Sequence, residues 1–85
     1  MQTIDLLEEA LQLAAMRGYE VRREWMVGTT GGACRLGNQK VLFVNLSLTA
    51  AEQLEQVIAA LRTQINTADG EMSRPLRKLL GISHP

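Results

Sequence analysis

The sequence predicts a small α+β domain of two layers, in which a three-stranded antiparallel meander packs against two helices in the order α-β-β-β-α, followed by a short third helix. Three observations predict this class: amphipathic helical periodicity in residues 3–17 and 50–66, β-forming alternation between them, and glycine-containing turns that separate the β-forming runs. The 85 residues are enough for one core. We therefore expect one domain in residues 1–72, with residues 73–85 forming a short helix and tail that dock on the domain or on a partner chain.

Residues 3–17 are the first predicted helix. Thr3 is a candidate N-cap, and Gly18 can adopt the left-handed conformation that commonly ends a helix. Apolar residues recur at spacings of three and four along the segment, namely Ile4, Leu7, Leu11 and Ala14. The helix therefore has one apolar face that can pack on a core.

Residues 19–27 are the first predicted strand, because apolar and polar side chains alternate along them. The apolar face holds Tyr19, Val21, Trp25 and Val27. Arg23 is the exception on that face. It either lies near a sheet edge with its methylene groups along Trp25 or a neighbour, or directs its guanidinium at a site or a partner carboxylate.

A glycine-rich connection follows at residues 28–32, with the sequence Gly28, Thr29, Thr30, Gly31 and Gly32. Glycines supply the positive φ angles of tight turns, so the favoured interpretation is a hairpin loop. The alternative is an anion site in which backbone N–H groups of the loop act with the nearby Arg23 or Arg35. The segment is not a P-loop, because no Gly-Lys-Ser/Thr follows and a strand comes next.

The next two strands are predicted at residues 33–36 and 40–46, joined by a two-residue type II′ turn at Gly37 and Asn38. This register pairs Cys34 with Val41 and Arg35 with Lys40. One face then carries Cys34, Leu36, Val41 and Phe43, and the other carries Arg35, Lys40, Leu42 and Val44. We expect the face with Leu42 and Val44 to need a cover, supplied by the C-terminal helix or by a second copy of the chain.

The second predicted helix begins at a capping box, in which Thr49 and Glu52 bond to each other's backbone. Its apolar stripe consists of Leu54, Val57, Ile58, Leu61 and Ile65. The short last helix has Ser73 as its cap and Gly81 as its stop. Its apolar face consists of Leu76, Leu79 and Leu80. Such a short helix must dock on another surface to be stable.

The composition and charge of the chain limit the classes of function that it can have. Nine basic and nine acidic residues give a formal net charge of zero, which argues against nucleic-acid binding because the chain lacks the positive field that attracts phosphates. Acidic residues near the start are unlike a signal peptide, a single cysteine cannot form an internal disulfide, and no apolar run could cross a bilayer. We expect a cytoplasmic protein of bacterial type that does not act at a membrane.

The candidate chemistry is sparse. One cysteine and one histidine, His84 in the tail, are too few for a metal site, so we predict no cofactor. Cys34 is either a buried small hydrophobe, the favoured interpretation, or a reactive thiol. The acidic residues fall mainly on predicted helix surfaces, which is typical of solvated faces.

We therefore expect a small non-enzymatic interaction or accessory module that forms a homodimer, with another cytoplasmic protein as a further candidate partner. The candidate interface residues are Leu42, Val44, Leu76, Leu79 and Leu80. The first alternative is an anionic-ligand-binding domain that uses residues 28–32 and the nearby arginines. The second is a thiol-dependent protein centred on Cys34.

Overall fold

The computed structural model describes residues 2–62 and 72–81. Helices and strands follow in the expected order, and their arrangement confirms the α+β class. Their bounds are α1 Thr3–Met16, β1 Tyr19–Glu24, β2 Gly32–Leu36, β3 Gln39–Asn45, α2 Ala50–Arg62 and α3 Arg74–Leu80. Two residues named in the predictions, Ile65 and His84, lie outside the described residues. Among the described residues, no helix has both the length and the apolar character needed to cross a lipid bilayer.

The sheet is mixed, and the predicted antiparallel meander is wrong. The strand order is β1-β3-β2, with β1 parallel to β3 and β2 antiparallel to β3. The physical reason is the composition of the strands. β3 carries apolar side chains on both faces and gains most from the centre of the sheet, whereas β1 and β2 have polar residues that tolerate an edge. The connection after β1 therefore crosses to the far edge before the chain returns along the middle.

The predicted hairpin register between β2 and β3 is confirmed. Cys34 pairs with Val41 and Arg35 pairs with Lys40. Gly37 has a φ of 63° and Asn38 does not have a positive φ, as a type II′ turn requires. The hairpin is thus set by its turn, as the sequence indicates.

The two faces of the sheet are the reverse of the expectation. Val21 of β1 pairs with Leu42 and lies on the same face, so β1 turns Leu42 and Val44 toward the helices. Both side chains are fully buried in the core. The expectation that these two residues lie on the side away from the two longer helices, and need a separate cover, is wrong, because it lacked the parallel pairing with β1. Val41 and Phe43 point to the side away from the helices.

The core lies between the sheet and the three helices. Besides the strand residues it contains Leu7, Ala10, Leu11, Leu13 and Ala14 of α1, Leu54, Val57, Ile58, Ala60 and Leu61 of α2, and Leu76 and Leu80 of α3. The third helix therefore docks on α1 and α2 of its own chain. Its cap, Ser73, donates from its backbone N–H and its hydroxyl to the carboxylate of Glu9, at 2.7 and 2.6 Å.

The structure tests the predicted N-terminal caps of α2 and α1. The capping box of α2 is confirmed, because the Glu52 N–H donates to Thr49 Oγ1 at 3.2 Å and the Thr49 N–H donates to Glu52 Oε1 at 3.0 Å. The bond from the Thr49 N–H, followed by a bond from the Thr49 hydroxyl to Glu52 Oε1, lowers the pKa of Glu52. The predicted cap at Thr3 is wrong, because the helix begins at Thr3 and its N-cap, Gln2, makes no side-chain capping bond.

Candidate interaction surface on the sheet

The side of the sheet that faces away from the helices is the candidate site. We call it the open face; the register assigns to it Glu20, Arg22, Glu24, Gly32, Cys34, Leu36, Gln39, Val41 and Phe43. All three described helices contribute to the core on the other side. Val41 is fully buried by its surroundings, Phe43 is half-buried, and Leu36 keeps 49% of its surface exposed. The centre of the open face is therefore apolar.

The β1 side of the open face is charged. Arg22 donates from Nε to the carboxylate of Glu20, and its guanidinium carbon lies 5.9 Å from the centre of the Phe43 ring. The hydrogen bond and the negative charge of Glu20 raise the pKa of Arg22. An arginine held over an aromatic face covers part of that ring while its charge stays in water. On this side of the sheet, Arg22 and Glu20 thus already have partners within the chain.

The β2 side is different in composition and exposure. Ala33, Cys34, Arg35 and Leu36 are all exposed. Arg35 is the strand's single charged residue, and the register turns it to the helix side. On the open face β2 therefore offers glycine, cysteine and leucine to the solvent.

Asn45 anchors the connection between the two edge strands, β1 and β2. This fully buried amide ends β3, and its Nδ2 donates to the carbonyls of Gly28 and Thr30 at 3.0 and 2.8 Å. Its Oδ1 accepts from the Met26 N–H at 3.2 Å and from the N–H and hydroxyl of Ser47 at 2.9 and 2.7 Å. Three of these five hydrogen bonds, those to Met26, Gly28 and Thr30, thus fix the segment that crosses from β1 to β2, which we call the crossing segment. The sequence signal was a polar residue at the end of the most apolar strand, and the predicted site residues did not include it.

The glycine-rich loop is fixed from inside the domain. Gln56 of α2 donates from Nε2 to the Thr29 carbonyl at 3.0 Å. Gly31 has a φ of 144°, and a Cβ at that position would lie 2.7 Å from Gln56 Oε1. The loop is thus a crossing between the two edge strands, not the hairpin turn that we expected. Its glycines serve both backbone conformation and the close approach of Gln56.

The two arginines of the anion-site hypothesis lie on different strands. Arg23, on β1, donates from its guanidinium to Glu8 of α1 at 2.7 Å. Arg23 thus lies on an edge strand, as the first interpretation held, and its guanidinium contacts a carboxylate of the same chain. Arg35 lies on the opposite edge strand, beside Lys40 in the register. The structure therefore does not gather both arginines around residues 28–32.

A shallow cavity of about 340 Å³ opens beside β2. Phe43 and Cys34 line it from the open face, Gly32 lies at its edge strand, and Met26 and Thr30 line it from the crossing segment. Cys34 is exposed, so the favoured prediction that it is a buried hydrophobe is wrong. A Cβ on Gly32 would meet no atom within 4 Å, so the space above this glycine is open.

The predicted interface residues are mostly used within the chain. Leu42, Val44, Leu76 and Leu80 belong to the core, and Leu79 retains 36% exposure. Leu79 lines a second depression of about 440 Å³ between the helices, which also includes Leu6, Leu54 and Ile58. Two apolar residues after β1 that the strand prediction placed inside, Trp25 and Val27, are 76% and 88% exposed. The exposed apolar surface is therefore not where the sequence placed it.

Comparisons with protein-family models, curated proteins and solved structures returned no match for this chain. Within residues 2–62 and 72–81, no three histidine, cysteine or acidic side chains are grouped so that they could hold a metal ion. The features from which a function can be inferred are therefore the sheet, its edges and the cavity beside β2.

Proposed function

We propose that the protein is a small, non-enzymatic interaction module that acts as a homodimer and serves as an accessory component of another cytoplasmic protein. The observation that carries the proposal is the exposed, almost uncharged edge strand β2 next to an apolar open face. An unguarded edge presents unpaired backbone N–H and C=O groups, which are a template for pairing with another strand.

The size of the domain supports a partner. A chain of 85 residues buries a small share of its surface compared with larger domains, so its stability margin is narrow. Any partner that binds only the folded form adds to that margin, and a second copy is always present at the same concentration. Leu36 is half-exposed on the open face and would lose that water contact in a dimer.

The anionic-ligand alternative has less support. The Thr30 N–H, one of the loop donors that an anion would need, donates to the Val27 carbonyl at 3.2 Å, and Arg23 is engaged by Glu8. The thiol alternative has the exposure of Cys34 in its favour. However, Arg35 lies on the opposite face from Cys34 and cannot act on its sulfur directly.

Light scattering on a size-exclusion column, with reductant present and at two loadings, tests the proposal. We expect twice the monomer mass of 9.4 kDa at both loadings. Leu36→Glu should give a folded monomer, because it places a charge at the exposed edge. Met16→Glu, a substitution at an even more exposed apolar residue on α1, should leave the dimer intact. A monomeric wild-type chain at both loadings would contradict the proposal.

A further inference from the structure

We propose that two copies join by antiparallel pairing of their β2 strands about a two-fold axis at Cys34, so that the two sheets become one sheet of six strands. Leu36 of each copy then enters the cavity beside Gly32 of the other. The inference rests on the proposed homodimer and specifies its partner, its edge and its register.

The choice of edge follows from charge. Four of the six residues of β1 are charged, whereas one of the five residues of β2 is. Charged side chains on an edge strand oppose the approach of another strand, because pairing would bring like charges together or remove them from water. β1 is guarded in this way and β2 is not. The second copy therefore joins at β2.

The backbone of β2 has the correct groups directed outward. Leu36 and Gln39 flank the two-residue turn and form its hydrogen-bonded pair, and such pairs alternate along an antiparallel ladder. Gly32, Cys34 and Leu36 therefore direct their N–H and C=O groups to β3. Ala33 and Arg35 direct theirs away from it. Among the described backbone hydrogen bonds outside the ladder, none involves Ala33 or Arg35.

The register follows from these outward groups. An axis at Cys34 pairs Ala33 of one copy with Arg35 of the other, so each pair exchanges two backbone hydrogen bonds. It also keeps the two Arg35 side chains apart, whereas an axis at Arg35 would place them directly opposite each other. Like charges in that position destabilise a strand pair. The axis at Cys34 thus satisfies the outward groups without that repulsion.

The same register gives a match of shape. It pairs Leu36 of one copy with Gly32 of the other, both on the open face. The exposed leucine side chain then lies over the open space above Gly32, at the cavity that Phe43 and Met26 also line. Because the axis is two-fold, this contact occurs twice. Leu36 of one copy thus fills the open space beside Gly32 of the other.

Cys34 reports on this arrangement in the unmodified chain. Directly opposite residues of a non-hydrogen-bonded antiparallel pair have Cα atoms about 4.5 Å apart. That separation lies within the range of roughly 4.4–6.8 Å that a disulfide spans. Diamide, which accepts two electrons and two protons as two thiols become a disulfide, should convert the wild-type dimer to a crosslinked form. The yield should be nearly complete, unaffected by dilution of the dimer, and reversed by reductant.

Two sets of variants accompany this measurement. In a Cys34→Ser background, Gln39→Cys puts an exposed thiol on the open face of β3, away from the axis, and should not crosslink comparably. Ala33→Pro removes an outward N–H that β3 does not use, and proline is tolerated on an edge strand in that position. It should give a folded monomer. Ala33→Ser keeps the N–H and should remain dimeric.

The outcomes separate the two proposals. A dimer that crosslinks through Cys34 and dissociates in Ala33→Pro supports the β2 edge. A dimer that does not crosslink and persists in Ala33→Pro overturns the edge and its register but leaves the homodimer standing. A wild-type chain that is monomeric at every loading overturns both.

Discussion

The two edge strands of this sheet differ in how their side chains are engaged. On β1, Arg23 is bound to Glu8 of α1 and Arg22 is bound to Glu20 within the strand. On β2, residues 33–36 are all exposed, and no side-chain hydrogen bond or ion pair is described for them. These two strands form the edges of the sheet, where another strand would have to pair.

The difference would direct the proposed association to one edge of this small mixed sheet. Charges on β1 make pairing there unfavourable, and their absence from the open-face side of β2 makes that edge available. Each edge is also backed by a different helix. β1 packs on α1, whereas β2 packs on α2, whose Gln56 also holds the crossing segment. Changes in one helix should therefore affect one edge more than the other.

The largest expected effect separates the core face from the open face. Leu42→Ala should lower the free energy of unfolding by about 3 kcal/mol, because it leaves a cavity under the helices. Leu36→Ala, the same chemical change on an exposed position, should cost less than about 1 kcal/mol in the folded chain. It should instead raise the dimer dissociation constant. Urea unfolding followed by circular dichroism and a dilution series measure the two quantities. Equal losses in unfolding free energy would contradict the assignment of faces.

The next effect tests the crossing that places the edges on opposite sides of β3. Asn45→Ala removes five part-buried hydrogen bonds made by a fully buried side chain, among them those to the carbonyls of Gly28 and Thr30. An unsatisfied buried group costs roughly 1–3 kcal/mol, so we expect a loss of about 3 kcal/mol in unfolding free energy. Gln12→Ala on the exposed surface of α1 should change it by less than about 0.5 kcal/mol. A similar small change for Asn45→Ala would show that the crossing does not depend on this amide.

Local patterns in the sequence predicted most of the elements. Helical spacing, the capping box at Thr49 and the turn at Gly37 each depend on residues close in the chain, and each was found. The strand order was not predictable in the same way. The order depends on which strand gains most from a central position, with a neighbouring strand on each side. That requires a comparison of all three strands. The antiparallel meander assumed that sequential strands are adjacent, which is the more frequent arrangement.

The candidate site was harder to predict, because the wrong strand order assigned it to the wrong face of the sheet. The alternation correctly grouped Leu42 with Val44 and Val41 with Phe43. Which pair meets the helices depends on the pairing of β1 with β3, and no local pattern specifies it. The contact of Arg23 with Glu8 joins residues 15 positions apart and was left open between two interpretations. The exposure of Cys34 follows from the edge position of β2 and could not be derived from its apolar neighbours.

A further test removes the protection of β1. Arg22→Thr combined with Glu24→Thr leaves the net charge unchanged and replaces two charged residues with β-formers. If charge is what guards this edge, the double variant should associate beyond a dimer, because both edges then accept strands. The matched control is Asp5→Thr with Arg74→Thr, which removes one acid and one base from exposed helix positions. Light scattering should show particles larger than a dimer for the first pair and not for the second. An unchanged mass for both would remove charge as the reason that the edges differ.

The smallest expected effect concerns the helix that supports β2. The pKa of Glu52 is lowered in the folded chain, mainly by the backbone hydrogen bond from Thr49 and then by the hydroxyl bond. A carboxylate with a depressed folded pKa stabilises the fold above its unfolded pKa, which is about 4.3, and loses that contribution as the pH falls through the folded value. Glu52→Gln should therefore lower stability at pH 7 and approach the wild type at low pH. Hydrogen exchange at pH 7 should show faster exchange for β2 amides than for β1 amides in this variant, because α2 packs on β2. A pH-independent difference between the two chains would show that the capping carboxylate does not act through its charge.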